Sequence, residues 1–292
     1  MGAAFRVADM LGGRKDGGMR PILLVVHPER PAAWELAATA TKWWQDQGRR
    51  VVEVRRGDMD ARSAQGEDFE FAISLGGDGT MLRTVDIVLG SRVPVLGVNL
   101  GRMGYLAPIE PVGIEQAFAR LVTGDYLIEE RMALDVRLNG SVEGRYTALN
   151  DVVVEKTGIG HTIRVEVAIA GRPFLTYVAD GILVATPTGS TAYNLSARGP
   201  VVSPLLRAMV LTPVSPHMLF DRSLVLEPSE EVRLRVLDDR PASAVVDGSR
   251  VIELATGDTV TCSPAAEPAR LVNFNGRDFH SALRHRFGLT DR

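Results

Sequence analysis

The hydrophobic pattern of this 292-residue chain changes near residue 125. Before that point, short β-rich apolar runs such as Ile22–Val26 alternate with segments of helical spacing. From Tyr126 onward most runs alternate apolar and polar residues in the manner of strands, and turns such as Asp247-Gly248 separate several of them. Alternating strands and helices build a parallel sheet, whereas successive strands build antiparallel layers, so the change predicts two domains of different class.

We expect an α/β plus all-β architecture: a Rossmann-like N-terminal α/β domain with a parallel sheet and a β-sandwich-like C-terminal domain. Trp34 and Trp44 recur at helical spacing in the first predicted helix, and we expect both in the core. The spacing of Phe279 and Phe287 predicts a C-terminal helix that returns to the first domain. The expected segments are a weakly ordered extension over residues 1–19, the α/β domain over residues 20–125 plus 272–292, and the β-rich domain over residues 126–271.

Composition excludes several classes of partner. The formal net charge is -3, and no basic stripe carries interleaved aromatic residues, so we expect no nucleic-acid partner. The single cysteine, Cys262, rules out an internal disulfide; it has no histidine nearby, and we expect a buried spectator rather than a nucleophile. We find no 18-residue apolar run and no signal-peptide segment, and therefore expect a cytoplasmic protein with no membrane partner.

A glycine-rich turn interrupts the first half of the chain. Residues 69–75 read as a buried strand, residues 76–80 are Gly-Gly-Asp-Gly-Thr, and residues 81–89 have helical character. Glycines permit positive φ and close approach of a ligand, and the first turn of a helix favours an anion such as phosphate. A carboxylate at Asp78 beside phosphate would bind Mg²⁺ or accept a proton, which favours phosphoryl transfer. An ordinary turn, with Asp78 present for its local hydrogen bonds, is the alternative.

A second glycine-rich segment follows the next predicted strand, residues 93–98, and includes Gly101, Arg102, Met103, Gly104 and Tyr105. Ligands of parallel sheets bind beyond the carboxyl ends of the strands. Both glycine-rich segments are therefore expected at the same edge of the sheet.

Two further motifs lie in the β-rich half. Residues 186–196 come directly after a predicted strand and contain a turn at Gly189 and then a short helix. This segment is rich in hydroxyl groups and includes one aromatic ring, and such groups can bind a ribose, a phosphate and a stacked ring. The alternative is that Ser190 and Thr191 only cap the helix and Tyr193 packs. Asn150-Asp151 opens a β-branched strand with two adjacent hydrogen-bond acceptors, which suit the two hydroxyls of a ribose or, alternatively, form a simple Asx turn.

Other catalytic motifs are missing from the sequence. We find no Gly-x-x-x-x-Gly-Lys-Ser/Thr, no Gly-x-Gly-x-x-Gly and no Gly-x-Ser-x-Gly. The five histidines do not have metal-ligand spacing, so we expect no protein-held metal.

The order and spacing of these motifs resemble those of the NAD kinases, from about residue 20 to nearly the end of the chain. The segments that carry the resemblance are Gly76-Gly77-Asp78-Gly79-Thr80, residues 96–106, Leu149-Asn150-Asp151 and residues 180–193. The first motif also occurs in diacylglycerol and sphingosine kinases, but the motif Thr-Pro-Thr-Gly-Ser-Thr-Ala-Tyr at residues 186–193 does not. The resemblance implies transfer of the γ-phosphoryl group of ATP to the 2′-hydroxyl of the adenosine ribose of NAD, which gives NADP, with Mg²⁺ or another divalent cation accompanying ATP.

The resemblance also assigns roles to residues. Asp78 would be the proton acceptor, and Asp180 would lie near the nicotinamide amide. Ser215 would reach the site of a neighbouring subunit, which implies a homodimer or homotetramer. Val178 stands where the family often has a basic residue, and Arg198 or Arg250 is a candidate to supply that charge. The residues expected to contact NAD or the nucleotide are Asp78, Gly79, Arg83, Asn150, Asp151, His161, Asp180, Thr188, Thr191, Ala192, Tyr193, Asn194, Leu195, Ser196 and Ser215.

Two functions from other classes remain open on the sequence alone. A lipid kinase would share the Asp78 motif but has no use for residues 188–196. A non-catalytic NAD(P) sensor would keep residues 180–196 but would tolerate the loss of Asp78. The sequence also leaves open whether polyphosphate replaces ATP as the donor, whether NADH is accepted and whether NADP inhibits.

Overall fold

The computed structural model divides into two compact units, Met1–Glu130 with Ala269–Arg292 (the first unit) and Arg131–Pro268 (the second unit). Most of the predicted N-terminal extension lies outside the described residues, and so do Arg102, Met103 and Tyr105 of the second glycine-rich segment. The described residues are 5–6, 19–55, 64, 66–101, 104, 106–107, 109–274 and 279–288.

A mixed sheet forms the centre of the first unit. Its strands, among the described residues, are β1 (Phe5–Arg6), β2 (Ile22–Val26), β3 (Val51–Val54), β4 (Phe71–Gly76), β5 (Val95–Asn99), β6 (Leu127–Arg131) and β19 (Ala269–Asn273), in the spatial order β1-β6-β19-β5-β4-β2-β3. The run from β19 to β3 is parallel, and β1 pairs with β6 in the antiparallel sense. The predicted parallel sheet is confirmed, and it carries an antiparallel edge.

Helices cover this sheet. The described helices of the first unit are α1 (Pro31–Asp46), α2 (Asp78–Val88), α3 (Ile114–Val122) and α5 (Phe279–Phe287). Trp44 packs with Phe71 and Phe118 in the core, with ring centroids 6.3 Å and 5.1 Å away. The expectation for Trp34 was wrong, because 41% of this residue is exposed and its indole N–H donates to the His27 carbonyl. The helical spacing therefore identified the helix but not the width of its buried face.

Two antiparallel sheets form the second unit. One contains β11 (Arg172–Ala179), β10 (Ile163–Ile169), β15 (Val232–Val236), β18 (Thr259–Pro264), β7 (Leu134–Asn139) and β8 (Gly144–Ala148), in that spatial order. The other contains β14 (Leu224–Leu226), β13 (Met209–Val214), β12 (Gly181–Ala185), β9 (Asp151–Lys156), β16 (Ala242–Val246) and β17 (Arg250–Leu254). One short helix, α4 (Tyr193–Ser196), follows a 3₁₀ turn at Thr188–Thr191.

The core of the second unit lies between these sheets. Val136 and Val165 of one sheet belong to the same buried cluster as Val154 and Ile182 of the other, as a β-sandwich requires. Cys262 is fully buried in this cluster, and burial raises the pKa of its thiol, so the expected burial of this cysteine is confirmed.

Several strands differ from the sequence-based interpretation, and two of them are instructive. Leu127–Arg131 lies in the half of the chain that the sequence assigned to the β-rich domain, but it pairs in the sheet of the first unit. The position of a strand along the chain does not say which sheet it joins. The strand Met209–Val214 was not predicted; it contains Pro213, a residue that is unfavourable in a strand interior. β14 pairs only with residues Met209 to Leu211, so Pro213 has a neighbouring strand on one side only. No helix among the described residues has the length and apolar character needed to cross a membrane.

Candidate active site

The predicted glycine turn joins β4 to α2 in the first unit. β4 ends at Gly76, and α2 begins at Asp78, with Gly77 in an extended conformation at the N-cap. Contrary to one expectation, Gly76, Gly77 and Gly79 do not have positive φ. Glycine is needed at 76 for space, because a Cβ there would overlap Thr80 Oγ1. A Cβ placed on Gly77 or Gly79 would have no atom of the described residues within 4 Å, so these two positions border open space. The turn therefore leaves room against its backbone for a ligand.

Asp78 lies where the two glycine-rich segments meet. Its Oδ1 accepts a hydrogen bond from the Leu106 N–H at 3.2 Å, and a Cβ on Gly104 would overlap the carboxylate. The side chain is half-buried, and its charge in the first turn of α2 is favoured by the helix dipole. The predicted approach of the two segments at one edge of the sheet is confirmed for these described residues.

Arg30 supports the second glycine-rich segment and was not identified from the sequence. Its guanidinium donates to the Leu100 carbonyl at 2.8 Å, and Gly101 packs against the same guanidinium. The Leu100 N–H in turn donates to the Gly76 carbonyl at 2.8 Å. No local pattern marks Arg30, because its partners lie 70 residues further along the chain. Arg83 of α2 is half-buried, one turn beyond Gly79.

Asp151 is the most deeply buried acid among the predicted site residues of the second unit. It begins β9 and is 4% exposed, whereas Asn150 is half-buried. Burial, and then the neighbouring negative charge of Asp247, raise the pKa of Asp151 from 3.8 to about 7, against a hydrogen bond from the Tyr193 backbone that lowers it. Asp151 can therefore both donate and accept a proton near neutral pH.

Two predicted site residues carry buried polar atoms that have no hydrogen-bond partner in the part of the chain that the structure describes. These atoms are Thr188 Oγ1, in the 3₁₀ turn, and His161 Nε2, in the loop before β10. A buried polar atom without a partner costs about 1–3 kcal/mol unless a ligand or water satisfies it. Both atoms therefore have the capacity to bind a ligand.

Tyr193 brings several charged groups together. Its hydroxyl lies 3.5 Å from Glu155 Oε2, and its pKa is raised by burial and by the negative charges of Glu155, Asp151 and Asp180. Asp180 is ion-paired with Lys156 at 2.6 Å. Glu155 and Lys156 were not predicted as site residues, although they end the strand that Asp151 begins. Lys156 is also the cation that the structure places beside Asp180; the candidate Arg198 is exposed, and the side chain of Arg250 is not described.

Asn194 differs from its predicted neighbours because it is fully buried. Its amide donates to the carbonyls of Ser190 and Pro200 at 3.2 Å and 3.0 Å, and its oxygen accepts from Thr212 Oγ1 at 2.7 Å. In this structure it holds the helix against β13. The remaining predicted residues are buried Thr191, half-buried Ala192 and Leu195, and exposed Ser196 and Ser215.

Among the described residues, no group of three or more His, Cys, Asp or Glu side chains is arranged to hold a metal ion.

Comparison with known proteins gives the family. Residues 56–126 match the ATP-NAD kinase N-terminal domain, and residues 149–274 match the ATP-NAD kinase C-terminal domain. The chain is 39% identical over 278 residues to NAD kinase of Heliobacterium modesticaldum, covering 92% of this chain and 98% of that one. It is 38% identical over 283 residues to NAD kinase of Moorella thermoacetica, covering 92% and 89%.

Two solved structures share the fold. Yeast NADH kinase complexed with NADH aligns with a TM-score of 0.80 and 24% identity, covering 94% of this chain and 89% of that chain. An NAD kinase from Archaeoglobus fulgidus in complex with ATP aligns with a TM-score of 0.74 and 24% identity, covering 91% and 97%. The motifs, the two domain matches and the relatives agree, and this chain belongs to the NAD kinase family.

Proposed function

We propose that this protein transfers the γ-phosphoryl group of ATP to the 2′-hydroxyl of the adenosine ribose of NAD, producing NADP and ADP. Family membership supports the reaction, and one observation carries the assignment of its centre. The Asp78 carboxylate is held by the Leu106 N–H at the junction of two glycine-rich segments, beside backbone that faces open space. This arrangement combines room for phosphate with a proton acceptor.

Asp78 accepts the proton of the 2′-hydroxyl as the new P–O bond forms and the bond to ADP breaks. Phosphoryl transfer passes through a loose transition state, in which the attacking hydroxyl keeps its proton until late. The main contribution of Asp78 is therefore to orient the hydroxyl, and the Leu106 hydrogen bond favours the present orientation of the carboxylate. Gly79 and Arg83 line the nucleotide in this proposal.

The second unit binds the dinucleotide. Asn150 and Asp151 hold ribose hydroxyls, and Asp180 lies near the nicotinamide amide. The unpartnered Thr188 Oγ1 and His161 Nε2 gain their missing hydrogen bonds from NAD. The other proposed contacts are Thr191, Ala192, Tyr193, Asn194, Leu195, Ser196 and Ser215.

Mg²⁺ or another divalent cation enters with ATP in this proposal. In this proposal the ion is held mainly by phosphate oxygens and water. When bound, the cation neutralises phosphate charge.

We also propose a cytoplasmic homodimer or homotetramer. The resemblance to the NAD kinases supports this assembly, since it places Ser215 at the site of a neighbouring subunit. Ser215 follows β13, is exposed and lies next to Val214, whose carbonyl accepts from the Asp180 N–H. Sedimentation of the purified protein tests this assembly, and a single monomeric species would contradict it.

The experiment that tests the reaction is NADP formation by purified protein with ATP, Mg²⁺ and NAD, beside Asp78→Asn. The wild type should form NADP, and the variant should lose about 10²-fold or more in kcat, the size of a general-base and positioning loss. Glu115→Gln is the matched control, because Glu115 is an exposed acid in the first turn of α3 and should leave kcat unchanged. A wild type that binds NAD without forming NADP would instead indicate a sensor.

A further inference from the structure

Asp247 lies far from the motifs in sequence but contacts one of them in the structure. It occupies the hairpin turn between β16 and β17 and has φ 48°, in the left-handed region that Asp tolerates better than most residues. Its own N–H donates to the Asp151 carbonyl at 2.9 Å. The hairpin is therefore bonded directly to the start of β9.

The Asp247 carboxylate accepts three consecutive backbone N–H groups. Oδ2 accepts from Leu149 at 2.9 Å, and Oδ1 accepts from Asn150 at 2.8 Å and from Asp151 at 3.1 Å. Hydrogen bonds to a charged acceptor are stronger than neutral ones. An asparagine at 247 would present an NH₂ group to one of these donors, so only a carboxylate satisfies all three.

Thr186 holds the same turn from its carbonyl side. Its Oγ1 donates to the Leu149 carbonyl at 2.6 Å, and its N–H donates to the Asn150 carbonyl at 2.8 Å. Gly189 packs so closely on the Asn150 carbonyl that a Cβ would overlap it. The backbone of residues 149–151 is thus fully engaged by the protein.

The side chain of Asn150 takes no part in these hydrogen bonds. Among the residues that the structure describes, this amide has no hydrogen-bond partner, although the backbone that carries it is bonded on both sides. A polar group on a rigid backbone, without a partner, is preorganised for a ligand. Three of the hydrogen bonds that fix this backbone end on the Asp247 carboxylate.

We propose that Asp247 is a positioning residue for NAD binding, which fixes the turn at residues 149–151 so that Asn150 and Asp151 meet the ribose hydroxyls. The inference rests on the proposed function, but it adds a residue that touches no substrate. Asp247 acts through three backbone hydrogen bonds, and its charge also faces Asp151. Tyr193 faces Asp151 from α4, and the phenol of Tyr193 is in turn close to Glu155 and to the Asp180–Lys156 pair.

The test compares Asp247→Asn with Asp258→Asn. Asp258 is a matched control, because it is another carboxylate of the second unit that accepts backbone N–H groups, from Ser141 at 2.7 Å and Ala255 at 2.9 Å, at a turn of the other sheet. Both variants should lose thermal stability. Only Asp247→Asn should raise the Kd and KM for NAD, by about tenfold or more, while the KM for ATP stays unchanged.

A second variant separates geometry from charge. Asp247→Glu keeps the negative charge but moves the carboxylate by one methylene group, so it should also weaken NAD binding. The pH at which NAD binding changes should move to lower values in Asp247→Asn, because the charge that raises the pKa of Asp151 is gone, and should stay in place in Asp247→Glu.

The outcomes distinguish the inference from the proposed function. A wild type without NADP formation contradicts the function. An active wild type with NAD affinity unchanged in both Asp247 variants, or lowered equally in Asp258→Asn, contradicts the positioning role. If Asp247→Asn does not fold, Asp247→Glu decides, and failure of both to fold assigns Asp247 to folding alone and overturns the proposal.

Discussion

The turn at Asp78 and the turn at Asn150-Asp151 each present an acid, but the chain builds them differently. The partners of Asp78, Leu106 and Gly104, lie within 28 residues, in the segment that follows the next strand of the parallel sheet. The turn at Asn150 depends on Thr186 and on Asp247, 97 residues away. The acids differ as well, because Asp78 is half-buried and Asp151 is 4% exposed beside another carboxylate.

The difference separates two ways of making a site. In the first unit, glycines clear space around one accessible carboxylate, so changes there should alter activity more than stability. In the second unit, buried hydrogen bonds fix the backbone, so changes there should alter stability and binding together. Four substitutions test this contrast.

Gly189→Ala should have the largest effect. The new Cβ would overlap the backbone carbonyl of Asn150, which cannot rotate away, so the 3₁₀ turn and β9 must separate. We expect a loss of about 3 kcal/mol in the free energy of unfolding, the upper end for overpacking, measured by urea denaturation. Gly113→Ala is the control, since nothing lies within 4 Å of its Cβ. Equal stability of the two variants would mean that the turn at Asn150 is deformable.

Gly104→Ala should affect activity and leave stability almost unchanged. Its Cβ would overlap the Asp78 carboxylate, a side chain that can rotate aside. Displacement of the proton acceptor by about 1 Å is expected to lower kcat roughly 10²-fold. Steady-state NADP formation and a urea titration measure the two quantities. A stability loss as large as that of Gly189→Ala would remove the contrast between the two turns.

Thr186→Val should destabilise the second unit by about 1–3 kcal/mol. The substitution keeps the shape but leaves the Leu149 carbonyl and the Gly189 N–H without their buried partner. Thr186→Ser retains the hydroxyl and should lose less. Urea denaturation of both variants measures the difference, and equal losses would show that the methyl group, not the hydroxyl, matters.

Asp151→Asn should change the pH dependence of stability. Because burial and Asp247 raise the pKa of Asp151 from 3.8 to about 7, the folded protein holds this proton more tightly than the unfolded chain. The stabilisation is fully present below about pH 4 and is lost as the pH rises towards 7. The difference in unfolding free energy between wild type and variant should fall with pH by at most about 1.4 kcal/mol per unit.

Asp258→Asn should show the opposite dependence of stability on pH and is the control for that measurement. Burial raises the pKa of Asp258, but hydrogen bonds from Ser141 and Ala255 outweigh it and the net pKa is lowered. Its stabilisation is present above pH 4 and is lost as the pH falls. If the difference in unfolding free energy between the wild type and Asp151→Asn does not change between pH 4 and 7, the raised pKa of Asp151 is contradicted.

The local parts of the site were readable from the sequence. Gly76-Gly77-Asp78 follows an apolar run and precedes a helical one, so its place between strand and helix needs only neighbouring residues. Arg30 and Lys156 were missed, because each acts through a partner that periodicity cannot locate. Asp247 was interpreted only as part of a turn, since a carboxylate in a hairpin looks the same whether or not it accepts distant N–H groups.

The sequence by itself determined the two fold classes, the positions of most strands and helices, and the motifs that identify the family, because hydrophobic periodicity and glycine placement are local properties. The tertiary structure alone decided that Trp34 is exposed, that Leu127–Arg131 joins the first sheet and that Asp247 holds Asn150. Burial, strand pairing and carboxylate partners depend on which distant segments meet. That choice is made by the packing of the whole unit and not by any single stretch of chain.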